Sequence, residues 1–298
     1  MTHVATLIAA RPGGLDTPRI DLARAALSRA GAPRWLNPGE AADISFTPDS
    51  GADQRELAAT LRNAVGGQID VVVQPTAYRR KKLFLADMDS TMIGQECIDE
   101  LADYVGLKAH VAAITERAMR GEIAFEPALR ERVALLQGLP VTVIEEVLRD
   151  RIKLTPGARA LVNTMRRNGA HTALVSGGFT LFTDRVAALI GFNENRANRL
   201  TVIDGHKLAG TVAEPIFGRD AKRAALIELR QEFGLKPEET MAVGDGANDL
   251  DMIVEAGLGV AYHAKPKVAE AAAARLDHTD LTALLYVQGY ARAEFVDA

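Results

Sequence analysis

Two periods organise the hydrophobic and polar positions of this chain. His3 to Ala9, Ala41 to Thr47 and Ile69 to Val73 alternate as strands do, while Thr17 to Arg29 and Asp53 to Val65 carry a helical repeat. With a short strand near Pro33 to Leu36 before the Pro38-Gly39 turn, the order is βαββαβ, a small α+β unit. The stretch from Gln74 to Lys82 breaks the pattern and closes on four consecutive basic residues, which reads as a linker with a solvated interdomain face. Next comes an apolar run, Leu83 to Ala86, a buried strand that feeds a polar loop. Four helical patterns follow: Glu96 to Val105, Lys108 to Arg120, Phe125 to Gln137 and Val141 to Arg151. An all-helical insertion of about 60 residues is too long for an ordinary βα connection and predicts a separate cap.

From Pro156 the pattern alternates in the α/β manner. Helices are expected over Ala158 to Arg167, Thr180 to Ile190, Arg219 to Phe233 and Asp249 to Glu255, and strands over His171 to Val175, Met241 to Val243 and Leu258 to Ala261. A hairpin is expected between them, Arg199 to Ile203 with Lys207 to Val212 around Asp204-Gly205-His206. Such a parallel sheet collects ligands at the carboxyl ends of its strands.

Three of those strand ends carry chemistry. Asp87 and Asp89 leave the first strand two residues apart, hence towards one side, and two carboxylates there repel unless a positive group sits between them. Mg²⁺ is the simplest such group, because it takes oxygen ligands from one or two carboxylates and from substrate phosphates. An ionised Asp beside it can also act as a nucleophile. Alone, Asp-x-Asp reads equally well as a polar turn. The design recurs at Gly244-Asp245-Gly246-Ala247-Asn248-Asp249, and between the two lie Ser176-Gly177-Gly178 and, in a predicted helix, Lys222. Carboxylates, a hydroxyl, an ammonium and open backbone amides together make a phosphoryl-transfer kit. The competing plain readings are helix capping for Ser176, a charged first helical turn for Asp249 and Asp251, and solvated surface for Lys222.

Composition narrows the partners. The 298 residues suffice for two domains. A net charge of −4 and a pI near 5.9 supply no basic field, which argues against nucleic acid and acidic membrane as partners. The single cysteine, Cys97, allows neither an intramolecular disulfide nor a cysteine zinc cluster, and it reads as a small buried residue. No apolar run of about 18 residues and no signal-peptide pattern is present. A soluble, cytoplasmic protein is the expectation.

The four ordered motifs, Asp87-x-Asp89-x-Thr91, Ser176-Gly177-Gly178, Lys222 and Gly244 to Asp249, resemble those of the haloacid dehalogenase (HAD) superfamily, and closely those of its phosphoserine phosphatases. The resemblance spans roughly residues 80 to 290. It implies a HAD-type Rossmann-like parallel sheet core over 81–92 and 155–298, a helical cap over about 93–154, and an ACT-like α+β domain over 1–76 joined to a phosphatase domain over 77–298. It also implies Mg²⁺-dependent hydrolysis of phosphoserine through an aspartyl-phosphate, the last step of serine biosynthesis. By the same resemblance Asp87 is the nucleophile and Asp89 the general acid and base. Mg²⁺ is held by Asp87, the Asp89 carbonyl and Asp245. Ser176, Gly177, Lys222 and Asn248 contact the phosphate or substrate. Glu96 takes the substrate ammonium and Arg132 its carboxylate. Thr91 and Asp249 support the site, and Met119 and Phe125 seal it. A homodimer and serine binding at the N-terminal module are further expectations. Residues before about Tyr78 are expected to be dispensable for chemistry. Two alternatives stay open: a HAD phosphatase or phosphotransferase for another small ester such as phosphohomoserine, and an amino-acid-sensing regulatory protein.

Overall fold

The structure is a computed structural model that describes residues 1–119 and 122–296, without the side chains of Glu116, Ala118 and Met119. Its first part runs β1 (His3–Ala9), α1 (Thr17–Ala25), β2 (Pro33–Asn37), β3 (Ala41–Phe46), α2 (Gln54–Val65) and β4 (Ile69–Pro75). The strands form an antiparallel sheet in the order β2-β3-β1-β4. This is the expected ACT-like βαββαβ unit. Helix α1 ends four residues earlier than its apolar pattern predicts, and Arg29 turns the chain with a positive φ. Helix α2 starts where expected, because the Asp53 carboxylate accepts the amides of Arg55 and Glu56.

The second part opens with β5 (Leu83–Ala86) and then four helices, α3 (Cys97–Tyr104), α4 (Lys108–Met119), α5 (Phe125–Ala134) and α6 (Thr142–Asp150). Where the chain leaves for these helices and returns, Ile93 and Leu154 form an isolated antiparallel bridge. The sheet resumes with α7 (Ala158–Arg167), β6 (His171–Phe179), α8 (Thr180–Ile190) and β7 (Glu194–Asn198). A hairpin, β8 (Leu200–Ile203) and β9 (Lys207–Val212), precedes α9 (Arg219–Glu232), β10 (Thr240–Gly244), α10 (Leu250–Glu255) and β11 (Leu258–Tyr262). The chain closes with α11 (Pro266–Ala271), β12 (Ala274–Leu276) and α12 (Ala283–Val287), none of which the sequence pattern predicts. Six parallel strands lie in the order β12-β11-β10-β5-β6-β7. Strand β5, its four residues wholly buried, is therefore flanked by β10 and β6. That adjacency brings the ends bearing Asp87, Asp245 and Ser176 together.

The expected solvated linker is overturned. Arg79 donates to Asp43 Oδ1 (2.6 Å) and Oδ2 (2.7 Å), to Thr6 Oγ1 (2.8 Å) and to the carbonyls of Tyr286 and Val287. Lys81 is buried with Nζ on the Glu238 carbonyl, Arg80 pairs with Glu294 and covers the Tyr290 ring, and Lys82 pairs with Glu239. The cause is the second face of the N-terminal sheet. Side chains alternate along each strand, so Leu7, Ile44 and Val71 face one core beneath α1 and α2, while Ile8, Ala41 and Val72 join the core of the six-stranded unit. On that second face Thr6, Asp43, Asp70 and Gln74 are buried, and each needs a hydrogen-bond partner. Asp70 finds four: the amides of Asp277, His278 and Thr279 and the Thr279 hydroxyl, at 2.7–3.1 Å.

Candidate active site

At the end of β5 the Asp87 amide donates to the Val243 carbonyl, which keeps the loop aligned with β10. Ser90 then takes a positive φ of 57°, and this left-handed turn brings the chain round after Asp89. Thr91 Oγ1 donates to Asp245 Oδ1 at 3.2 Å, tying the first loop to the one after β10.

Lys222, on the first turn of α9, is fully buried, and its Nζ donates to Asp87 Oδ1 (2.5 Å) and Asp249 Oδ1 (2.6 Å). The other Asp249 oxygen accepts the Gly246 amide at 3.1 Å. A Cβ on Gly244 would lie 2.5 Å from the Asp249 carboxyl carbon, so only glycine lets that carboxylate approach the strand end. Oxygens of Asp87, Asp245 and Asp249 all lie within 4.8 Å of one another. Three carboxylates around one ammonium leave surplus negative charge. Burial, then Asp249, pushes Asp87 well above the usual carboxylate range despite Lys222, and the same two causes push Asp245 up to about 6. Burial works against the Lys222 ammonium, yet Asp249 and Asp87 outweigh it and raise its pKa. A hard, oxygen-seeking cation is the group that would balance this donor set, and the set fits Mg²⁺.

Asp89 points elsewhere. Its Oδ1 accepts the Cys97 amide at 3.2 Å, and Oδ2 faces Gly178, where a Cβ would come within 2.9 Å. Burial first, then the charge of Glu96, pushes Asp89 up to about 7. Ser176, buried at the bend in β6, accepts the Gly178 amide on its Oγ at 2.8 Å and makes no cap to α8. Asn248 lies half-buried in the loop after Asp245.

The α3–α6 helices cover this floor. The Phe125 ring rests on the backbone of Gly177 and Gly218, where a Cβ on either glycine would meet it at 3.3 Å. Arg130 pairs with Glu214 (2.5 Å) and Glu145 with Arg185 (2.7 Å), while Gly138 and Leu139 exchange backbone bonds with Leu208 of β9. Arg132 on α5 is half-buried and donates to Thr115 Oγ1 (3.3 Å) and to the Ala128 carbonyl (3.2 Å). Among the described residues no carboxylate pairs with it. Burial lowers the Arg132 pKa, against the opposing charges of Asp99, Glu96 and Asp89. Glu96 is exposed at the start of α3 and accepts the Ser90 hydroxyl at 2.7 Å. The side chain of Met119, the other residue expected to exclude water, lies outside the described residues. Two polar residues that bear on the site, Thr115 and Asn198, carry no motif signal. Only their contacts reveal them.

A parallel sheet with an Asp-loop after its central strand, an ammonium-bridged acid cluster and a helical cover defines a phosphoryl-transfer hydrolase. The chain belongs to the haloacid dehalogenase-like hydrolases, whose family model matches residues 81–257. It is similar to the phosphoserine phosphatase of Polaromonas sp., at 49% identity over 208 residues, 68% of this chain and 88% of that protein. A crystal structure of a HAD family hydrolase from Salmonella enterica serovar Typhi superposes with a TM-score of 0.84 at 28% identity, over 96% of this chain and 98% of that one. A structure of a phospho-aspartyl intermediate analogue of phosphoserine phosphatase matches at 39% identity with a TM-score of 0.64, over 70% of this chain and 98% of that one.

Proposed function

We propose that this chain is a Mg²⁺-dependent phosphoserine phosphatase, hydrolysing O-phospho-L-serine to L-serine and phosphate as the closing step of serine biosynthesis. The observation that carries the reading is the convergence of Lys222 on Asp87 and Asp249, with Asp245 in the same cluster, at adjoining strand ends. Asp87 attacks phosphorus and forms an aspartyl-phosphate. Asp89 starts protonated, gives its proton to the departing serine oxygen, and then takes one from the water that cleaves the intermediate. Its upward shift to about 7 suits a group that must do both near neutrality. Ser176, the Gly177 amide and Lys222 hold the phosphoryl oxygens, and Asn248 completes the substrate contacts. Mg²⁺ would be held by Asp87, the Asp89 carbonyl and Asp245, and when bound it supplies positive charge where the phosphoryl group builds negative charge. Both Asp249 oxygens are engaged by protein donors, which supports its role in holding Lys222 rather than metal.

Glu96 and Arg132 read the ammonium and carboxylate, with Phe125 and Met119 closing the site to water. The division proposed is 1–76 and 77–298, with core 81–92 and 155–298 and cap about 93–154. The Ile93–Leu154 bridge supports the cap limits. The proposal extends to a cytoplasmic location, a homodimer and serine binding at the N-terminal unit. Among the described residues no helix is long and apolar enough to cross a membrane. Light scattering with and without serine tests the last two. Phosphate release from phosphoserine, phosphohomoserine and a sugar phosphate, with and without Mg²⁺, tests the activity. Asp87→Asn, which keeps the shape and loses the nucleophilic charge, should abolish turnover. Near-normal turnover, or phosphate trapped on another residue, would overturn the assignment.

A further inference from the structure

The ladder between β6 and β7 is irregular at one place only. Val175 pairs with Arg196 and Phe179 with Asn198, so four steps along β6 face two along β7. The two extra residues arch Ser176, Gly177 and Gly178 out of the sheet, turning the Gly178 amide back onto Ser176 Oγ and leaving the Gly177 carbonyl without a ladder partner. Asn198 supplies that partner: its Nδ2 donates to the Gly177 carbonyl at 2.9 Å. The same carboxamide donates to the Phe217 carbonyl (3.0 Å) and accepts the Phe217 amide (2.7 Å), so it grips both polar groups of one peptide residue as a neighbouring strand would. Asn198 is 2% exposed, and its requirement for two donors and one acceptor is fully met. Phe217 directly precedes Gly218, whose carbonyl receives the Lys222 amide in the first turn of α9. One buried side chain thus joins the Ser-Gly-Gly arch to the start of the helix that carries the ammonium.

We infer that Asn198 is a positioning residue for the phosphoryl group, holding the Ser176–Gly178 arch and the Lys222 helix in register so that they grip one phosphate together. The inference rests on the phosphatase reading for its meaning, but not on phosphoserine as the substrate. Asparagine is required at this position. An aspartate would set a carboxylate oxygen against two carbonyls, and alanine would deprive one donor and two acceptors, all partly buried, of these partners.

The test compares Asn198→Ala and Asn198→Asp with the wild type, with Asn193→Ala as a structural control, since among the described residues the Asn193 side chain bonds to the Thr172 amide and hydroxyl alone. Three quantities are read on folded protein: the Kd for Mg²⁺ alone, the Kd for inorganic phosphate in saturating Mg²⁺, and kcat. Both Asn198 variants should weaken phosphate binding and lower kcat by about 10- to 100-fold while leaving the Mg²⁺ Kd within about twofold. Asn193→Ala should lower Tm without moving the phosphate Kd. Phosphate affinity within twofold of wild type, or Mg²⁺ and phosphate affinities falling together with Tm, would overturn the inference. Should both variants fail to fold, the wild type decides. The Asn198 side-chain amide protons must exchange more slowly with solvent once phosphate and Mg²⁺ bind, and unchanged exchange would overturn it. A wild type that binds phosphate but ignores phosphoserine would sink the substrate reading and leave this one standing.

Discussion

Arg132→Ala is the substitution that most directly tests how the cap reads the substrate. In this structure the guanidinium is half-buried and, among the described residues, donates to neutral acceptors alone, Thr115 Oγ1 and the carbonyl of Ala128 in its own helix. Most of its donor fork therefore remains for an incoming planar anion, and a carboxylate matches that fork bidentately. Removing the arginine would leave the substrate carboxylate desolvated and unpaired, a loss of about 2 to 4 kcal/mol, or about 30- to 1000-fold in kcat/KM for phosphoserine. The two neutral bonds are worth about 1 kcal/mol each to the cap, so Tm should fall by only a few degrees. The assay is phosphate release from phosphoserine beside release from a small aryl phosphate that lacks both ammonium and carboxylate. The aryl phosphate should lose less than about threefold, and Arg132→Lys should recover only part of the phosphoserine activity, because an ammonium is a point charge without the fork. Equal losses on both substrates would refute the reasoning and make Arg132 a residue of cap stability.

Three further outcomes follow from the docking of the N-terminal sheet. Asp70→Ala strands the buried amide and hydroxyl of Thr279 and the partly buried amides of Asp277 and His278, so chemical denaturation should report a loss of about 2 to 4 kcal/mol, with turnover of the folded fraction unchanged. Burial holds Lys81 down at about 8, so between pH 8 and 10.5 this lysine binds more proton in the unfolded chain than in the folded one, and its own contribution to stability rises with pH. The stability of wild type minus that of Lys81→Met should therefore increase across that window by up to about 3 kcal/mol, and a flat difference would refute the shift. A chain starting near Tyr78 should keep hydrolysing phosphate esters when folded, but its Tm should drop well below that of the full chain, because Arg79 loses Asp43 and Thr6 and the apolar partners Ile8 and Val72 are gone. Soluble, folded fragment without activity would contradict the division of labour.

The catalytic floor is legible in the sequence because each member sits at a strand end marked by an apolar run before it and glycines beside it, as Asp87, Ser176 and Asp245 do. Lys222 is legible only through family resemblance, since its neighbours Arg219 and Arg223 fit a surface helix equally well, and in the structure these two pair with Asp251 and Glu255. Strand β7 escapes the pattern for a plain reason: Glu-Asn-Arg-Ala-Asn contains one apolar residue, and as an edge strand it does not bury both faces. Its last residue, Asn198, is bonded to partners 21 and 19 positions away, a relation that no local period encodes.

The error over the linker has the same origin. Thr6, Asp43, Asp70 and Gln74 occupy the alternate positions of their strands, where polar residues ordinarily signal a face turned to water. They instead meet backbone groups of the chain's last thirty residues and the guanidinium of Arg79. A polar strand face and a basic run are each unremarkable as surface, and only their complementarity turns both into an interface. Since buried polar groups cost stability unless paired, a face built from four of them specifies one docked geometry far more narrowly than an apolar face of equal area would. The arrangement therefore gives the N-terminal sheet a fixed seat against the strand that leads to Asp87, through Arg79, Lys81 and Lys82.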